Sequence, residues 1–428
     1  MKKFLTLSLL SVLLLSSCST IEENELMNPV TEENELIAPS SKYLTVEEAA
    51  QKAKAFMDFT SSNKRESRGS KEFEVKRAKL IDFGKESRSA EIPDSAFYAV
   101  DFEDGGYSIV AAERDLLNNI YFYTEEGEFS LEGSPIMELY LTEAAKTMDQ
   151  APHKSNVVQD VVVKSRAKAD PDPDDKYIKG EEWINGVLCI YYYKSTESKV
   201  DPITKTKWGQ SYPYNYYCPK INGISTYVGC VAVAMGQIAA THRWPESFNG
   251  HNYNWDEMLS LSTHTSIYNT GANDIAQFLY DIGSHIGMNY GTSGSGANID
   301  QALKGLKDMG YVNSVKANYT SSLCTPSISF GNPVYMQGFK EDFSVGHAWV
   351  VDGYNVINNW VEYYRKDNGE LYAVYGGRGY TYLHFNLGWN GSQDGYYLYS
   401  SQAEGFDDFN YNSDSKIIYN INRDSLTN

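Results

Sequence analysis

Cysteine is scarce in this chain. Five cysteines among 428 residues, with no C-x-x-C pair and no regular spacing, support neither a disulfide scaffold nor a structural zinc site. The seven histidines show no H-E-x-x-H or comparable ligand spacing, so neither a catalytic metal nor another cofactor is expected. Positive charge is also short: 37 Lys and Arg stand against 56 Asp and Glu, a net charge of −19. That balance argues against nucleic acid as a partner and against a polybasic membrane face, and the acidity is heavier in the N-terminal half. Long apolar runs are missing beyond the first 17 residues, so the chain from Cys18 onward is expected to be soluble. The remaining composition, 42% hydrophobic with 34 tyrosines, is ample for two domains with real cores.

The N-terminus reads as a targeting segment. Lys2-Lys3 precedes the apolar run Phe4 to Leu15, and Leu15-Ser16-Ser17-Cys18 closes it. The run is too short to span a bilayer and fits a signal peptide over residues 1–17. Its end matches a bacterial lipobox, in which Cys18 takes lipid and becomes the mature N-terminus. The expected location is the bacterial cell envelope, lipid-anchored at the outer membrane or cell surface, with release on maturation left open. Residues 18–42 are acidic and polar, a tether away from the membrane.

Residues 43–160 read as a small α+β unit. Thr45-Val46-Glu47-Glu48 has the capping-box pattern, and Val46, Ala49, Ala50, Ala53, Phe56 and Met57 follow at helical spacing. Strand-like runs come next at 96–100, 107–111 and 120–123, then a helix near 136–148. No catalytic cluster is evident there, so the unit is either a binding or spacer domain or a propeptide covering a site. Residues 161–180 carry Lys164-Ser165-Arg166-Ala167-Lys168 and then Asp170-Pro171-Asp172-Pro173. That stretch cannot bury a core and is expected to be an exposed processing linker. Residues 181–428 form the second domain.

The chemistry lies in the second domain. Gly229 precedes Cys230, and Val231 to Thr241 reads as an Ala-rich helix stopped by Trp244-Pro245. A thiol at a helix N-terminus meets the positive end of the dipole, which favours thiolate. His347 sits in Gly346-His347-Ala348-Trp349 between two strand-like runs; a histidine on a strand is a candidate base for that thiol, although cysteine and histidine are also common as plain core residues. Asn386 ends the run Tyr380 to Phe385 and is placed to orient an imidazole, and Trp389 is placed to shield the pair from water.

Several segments together resemble the streptopain family of secreted cysteine proteases. They are Trp208-Gly209-Gln210-Ser211-Tyr212-Pro213, Gly229-Cys230-Val231-Ala232-Val233-Ala234-Met235-Gly236-Gln237, Tyr253-Asn254-Trp255, Met288 to Ala297, Gly346 to Gly353 and His384 to Gly391. The resemblance implies an α+β fold: a papain-like catalytic domain of a helical part and an antiparallel β-sheet part, preceded by the small α+β pro-domain acting as an intramolecular inhibitor. It implies Cys230 as nucleophile, His347 as general base and acid, Gln210 as oxyanion donor and Asn386 as the residue orienting His347. Gly291, Ser293, Gly294, Ser295, Gly296 and Ala297 become a substrate-binding lip. Leu387 and Asn390 depart from the family pattern, where a tryptophan and a glycine are expected, which leaves Trp389 as the nearby indole.

The resulting expectation is a cysteine endopeptidase made as an inactive lipoprotein zymogen, acting on protein or peptide substrates and preferring a hydrophobic residue two positions before the cut. The rival readings are a papain-clan cell-wall amidase or transpeptidase, an inactive surface-binding lipoprotein, and a protein whose working part is the N-terminal unit as an inhibitor.

Overall fold

The computed structural model describes residues 41–62, 72–83, 96–132, 135–151, 153, 179–339, 346–401 and 415–422. The leader with Cys18, the tether up to residue 40 and the processing linker up to residue 178 lie outside the described residues. Among the described residues, no helix is long and apolar enough to cross a membrane, and no group of three or more His, Cys, Asp or Glu is arranged to hold a metal ion.

The N-terminal module begins with α1 (Val46–Ser62). Its start is fixed by a reciprocal cap, in which Glu48 N–H donates to Thr45 Oγ1 at 3.2 Å and Thr45 N–H to Glu48 Oε2 at 2.6 Å. Ala49, Ala53 and Met57 recur every fourth residue and are buried, so one face packs against the sheet. A meander comes next: β1 (Val75–Leu80), β2 (Phe97–Phe102), β3 (Tyr107–Ala111) and β4 (Ile120–Thr124). The β2–β3 turn needs Gly106, whose φ is 91° and whose missing Cβ would lie 2.5 Å from Thr124 O. Helix α2 (Pro135–Thr147) ends the module.

The second part opens with β5 (Lys179–Ile184) and β6 (Val187–Val200). A two-residue ribbon, β7 (Lys220–Ile221) with β8 (Ile224–Ser225), precedes α3 (Cys230–His242). A second ribbon, β9 (Ser247–Phe248) with β10 (His251–Asn252), leads to α4 (Trp255–Met258), α5 (Ala272–His285) and α6 (Ile299–Asp308). Then come β11 (Val315–Asn318), α7 (Ser321–Ser329), β12 (Val334–Phe339), β13 (Gly346–Arg365), β14 (Leu371–Asn386), β15 (Gly395–Ser401) and β16 (Lys416–Tyr419).

The long strands form a single 12-stranded sheet in the order β1-β2-β3-β4-β15-β14-β13-β12-β16-β11, with β6 also pairing β13 and β5 pairing β6. The N-terminal meander is therefore not a separate body. Strand β4 pairs antiparallel with β15, Phe122 opposite Tyr397 and Tyr123 opposite Tyr396, and one apolar core runs through both parts. A second core surrounds α3, which is buried on every side from Val231 to Ala240. Gly236 lets α5 approach, since a Cβ there would lie 2.4 Å from Leu279 Cδ2. Helix α3 thus lies with its start against β13, which is where the chemistry gathers.

Candidate active site

Cys230 is the first residue of α3 because Gly229 turns the chain at φ 93°. A side chain at 229 would also meet the Met288 sulfur at 2.9 Å. Cys230 is partly exposed as a residue, whereas Cys189, Cys218 and Cys324 are buried. Burial pushes the Cys189 thiol up to about 11 and the Cys218 thiol up to about 12. Burial is also the largest influence on the Cys230 thiol and raises it; the nearby backbone N–H groups of Ala348, Val231 and Cys230 itself pull the other way. The helix terminus therefore offers the stabilisation expected for a thiolate, but in this state desolvation outweighs it.

His347 is the second residue of β13 and pairs with Gly338 of β12, which puts no side chain opposite it. Its ring lies 4.7 Å from the Trp389 ring at 33° and 6.0 Å from that of Trp349 at 16°. Nε2–H donates to Leu387 O at 2.9 Å. Burial lowers the imidazole to about 4, with the Leu387 bond opposing. Burial thus favours the neutral form of both groups. Among the described residues no hydrogen bond joins them, although Ala348, next to His347, touches the sulfur. Desolvation opposes the charged pair expected from the sequence, and the bond to Leu387 O occupies only Nε2 of the imidazole.

Asn386 was expected to orient His347. Its amide is used elsewhere: Oδ1 accepts from Gln237 Nε2 at 2.8 Å and from Gly388 N–H at 3.3 Å, while Nδ2 donates to Thr206 O at 2.7 Å. The carbonyl of its neighbour Leu387 holds the ring in its place. Gln210 is partly exposed and its carbonyl accepts from Val228 N–H at 2.9 Å, which sets it beside the segment entering Cys230. The 291–297 loop meets the same segment. Ser295 Oγ donates to Tyr227 O at 2.7 Å, Tyr227 N–H donates to Gly291 O at 3.2 Å, and Gly296 pairs with Asn289 through two backbone bonds. Ala297 O accepts from Gln337 Nε2 at 3.3 Å, while Ser293 and Gly294 stay exposed at the tip. Asn390 adopts φ 56°, a conformation asparagine tolerates better than most residues, so it substitutes for a glycine at modest backbone cost.

Gln237, the Leu387 carbonyl and Asp394 were not singled out by sequence reasoning. A glutamine inside an otherwise small and apolar helix was the available signal for the first; a backbone carbonyl leaves none. Asp394 Oδ1 accepts Leu387 N–H at 2.8 Å, so it braces the residue that holds His347. It lines a cleft of about 440 Å³ with Glu126, Lys207, His384, Asn386 and Tyr396. Burial raises its carboxyl to about 7. The folded chain then binds more protons than the unfolded chain between about pH 4 and pH 7, so this group's contribution to stability falls as pH rises through that window. His347 acts oppositely: its lowered value costs stability as pH falls from about 6.5 towards 4. Asp394→Asn isolates the carboxyl. Thermal or urea unfolding is expected to show the variant more stable than the parent at pH 8, by on the order of 4 kcal/mol, with the gap narrowing by pH 5 and closing near pH 4. A gap independent of pH would contradict this.

With this geometry established, comparison with known proteins is specific. Residues 208–397 match the Peptidase C10 family. The thiol protease/hemagglutinin PrtT of Porphyromonas gingivalis is 27% identical over 259 residues, which are 53% of this chain and 27% of that protein. Streptopain of Streptococcus pyogenes is 23% identical over 371 residues, 75% of this chain and 78% of streptopain. The chain thus spans about a quarter of the first relative and most of the second. In overall fold it matches a fragment of prointerpain A from Prevotella intermedia with a cysteine-to-alanine substitution, at a TM-score of 0.52 and 20% identity, covering 82% of this chain and 98% of the fragment. The stretch that matches the Peptidase C10 family, residues 208–397, contains both Cys230 and His347.

Proposed function

We propose that the chain is an endopeptidase made as a latent precursor, with Cys230 as nucleophile, His347 as general base and acid, and residues 43–160 as its inhibitory pro-domain. The observation that carries this reading is the placement of the Cys230 thiol at the start of α3, among the backbone N–H groups of Cys230, Val231 and Ala348, with His347 held one residue away by Leu387 O. Release of the N-terminal module opens the site to substrate, and His347 pairs with the sulfur while Leu387 O keeps its hold on Nε2–H. The thiolate then attacks a peptide carbonyl, forming a C–S bond and moving the carbonyl electrons onto oxygen, where Gln210 and the Cys230 N–H donate to the oxyanion. Collapse expels the amine, which takes its proton from the His347 imidazolium. Water, deprotonated by His347, attacks the acyl carbon, and the C–S bond breaks to release the acid and the thiolate.

The 291–297 loop forms one lip of the substrate groove, and a hydrophobic residue is preferred two positions before the cut. Cleavage within 161–180 separates the two parts, and lipid on Cys18 holds the precursor at the outer membrane or cell surface. Digestion of casein beside purified peptidoglycan tests the substrate class. New internal peptides from casein with intact peptidoglycan are expected; cleaved peptidoglycan with intact casein would replace this reading with an amidase.

A further inference from the structure

Gln237 has no part in the chemistry just described, yet it is a buried polar side chain near it whose amide is bonded at both ends. It lies seven residues beyond Cys230 in α3, two turns along the same helix face and about 10 Å further down the axis. It is 0% exposed among alanines and valines, where an amide without partners would be costly. None of its main bonding capacity is wasted. Oε1 accepts from Trp208 N–H at 3.1 Å and from Thr206 Oγ1 at 3.2 Å, and Nε2 donates to Asn386 Oδ1 at 2.8 Å. Asn386 Nδ2 returns to Thr206 O at 2.7 Å, closing a ring through the helix, the 206–208 segment and the end of β14.

We propose that Gln237 is a positioning residue that ties the nucleophile's helix at once to the segment carrying Gln210 and to the Asn386–Gly388 turn that holds His347. Only Gly209 separates Trp208 from Gln210, and Asn386 directly precedes Leu387, whose carbonyl accepts the imidazole N–H. Gly388 N–H also donates to Asn386 Oδ1 at 3.3 Å, so the turn is fixed from both sides. A Cβ at 388 would meet Val233 Cγ1 at 2.9 Å, so the turn packs directly on α3 with no slack. A side chain that only filled space would be replaced without loss by leucine or methionine. One that sets the relative positions of three reacting groups would not, because displacements of about 1 Å at a reacting centre cost on the order of 10²-fold in rate.

This inference rests on the peptidase reading and is tested in the full-length chain allowed to mature. Gln237→Leu removes both ends of the clamp at similar volume. Gln237→Glu keeps the acceptor, and its carboxyl donates to Asn386 Oδ1 only when protonated. The readouts are kcat and KM on a casein-derived peptide from pH 5 to pH 8, and the rate of Cys230 alkylation by iodoacetamide over the same range. For Gln237→Leu, kcat is expected to fall about 10²-fold with KM within about two-fold, and the alkylation profile to shift. Gln237→Glu is expected to recover relative to the parent as pH falls. Folded Gln237→Leu with parental kcat and alkylation profile would overturn the proposal. If that variant does not fold, a Gln237→Glu/parent activity ratio that is flat with pH would overturn it equally. Retained casein cleavage by Cys230→Ala would instead refute the peptidase reading itself, so the two failures are distinguishable.

Discussion

Cys230→Ala is expected to abolish casein hydrolysis, a loss of at least about 10⁴-fold, because removing a nucleophile leaves only binding and oxyanion stabilisation. The same variant is expected to remain as the uncut full-length chain on storage at neutral pH, with its melting temperature close to that of the parent. The substitution removes one sulfur from a partly open position, so folding and catalysis separate cleanly. Cys189, Cys218 and Cys324 cannot substitute: all are buried, and for the first two burial raises the thiol far above neutrality. Normal self-processing by purified Cys230→Ala would show that another group does the work.

The second large effect concerns the joint between the two parts. Phe122 of β4 is 0% exposed, stacks on Tyr107 with centroids 5.0 Å apart and meets Tyr397 of β15 edge-on at 4.7 Å. Its ring occupies the space over Gly395, where a Cβ would lie 2.4 Å from Phe122 Cζ. Phe122→Ala empties this joint and is expected to cost roughly 3–5 kcal/mol. In a Cys230→Ala background, hydrogen exchange is expected to accelerate at the β4 and β15 amides while those of α3 stay protected. In the active chain the lag before self-processing should shorten. Unchanged exchange at β15 together with an unchanged lag would refute a regulatory role for this contact.

The joint also accounts for the abundance of tyrosine. Tyr140 Oη lies 2.7 Å from Tyr121 O and 2.9 Å from Leu398 O and shares its one O–H between them, Tyr382 Oη donates to Ile120 O at 2.9 Å, and Asn355 Nδ2 donates to Tyr123 Oη at 2.9 Å. Tyr123 and Tyr396 stack at 4.8 Å and 6°. Aromatic rings that end in a hydroxyl bury well against one another and also tolerate water on one end. That suits the proposed precursor, in which this surface is covered until maturation.

Local features were the most legible in the sequence. The Thr45/Glu48 cap, the three N-terminal strands and the start of α3 at Cys230 all come from short-range rules, and the structure places them within a few residues of expectation. The meeting of Cys230 with the strand of His347 was legible through its motifs, since both lie in long matching segments. What the sequence did not disclose depends on pairings between distant residues. Nothing in Phe122 or Tyr397 alone says that β4 continues the catalytic sheet. The division of Asn386 between Gln237, Thr206 and Gly388, and the hold of Leu387 O on His347, are decided by burial and backbone geometry. The pull of desolvation on Cys230 and His347 towards their neutral forms has no sequence signature.

The most direct test of the account is covalent labelling with the thiol-directed epoxide E-64, followed by peptide mapping in the mass spectrometer. After maturation, one equivalent of label is expected on Cys230, with labelling strongly reduced in His347→Ala and in the Cys230→Ala full-length chain. Label on Cys189, Cys218 or Cys324, or equal labelling of Cys230 with and without His347, would contradict the central claim.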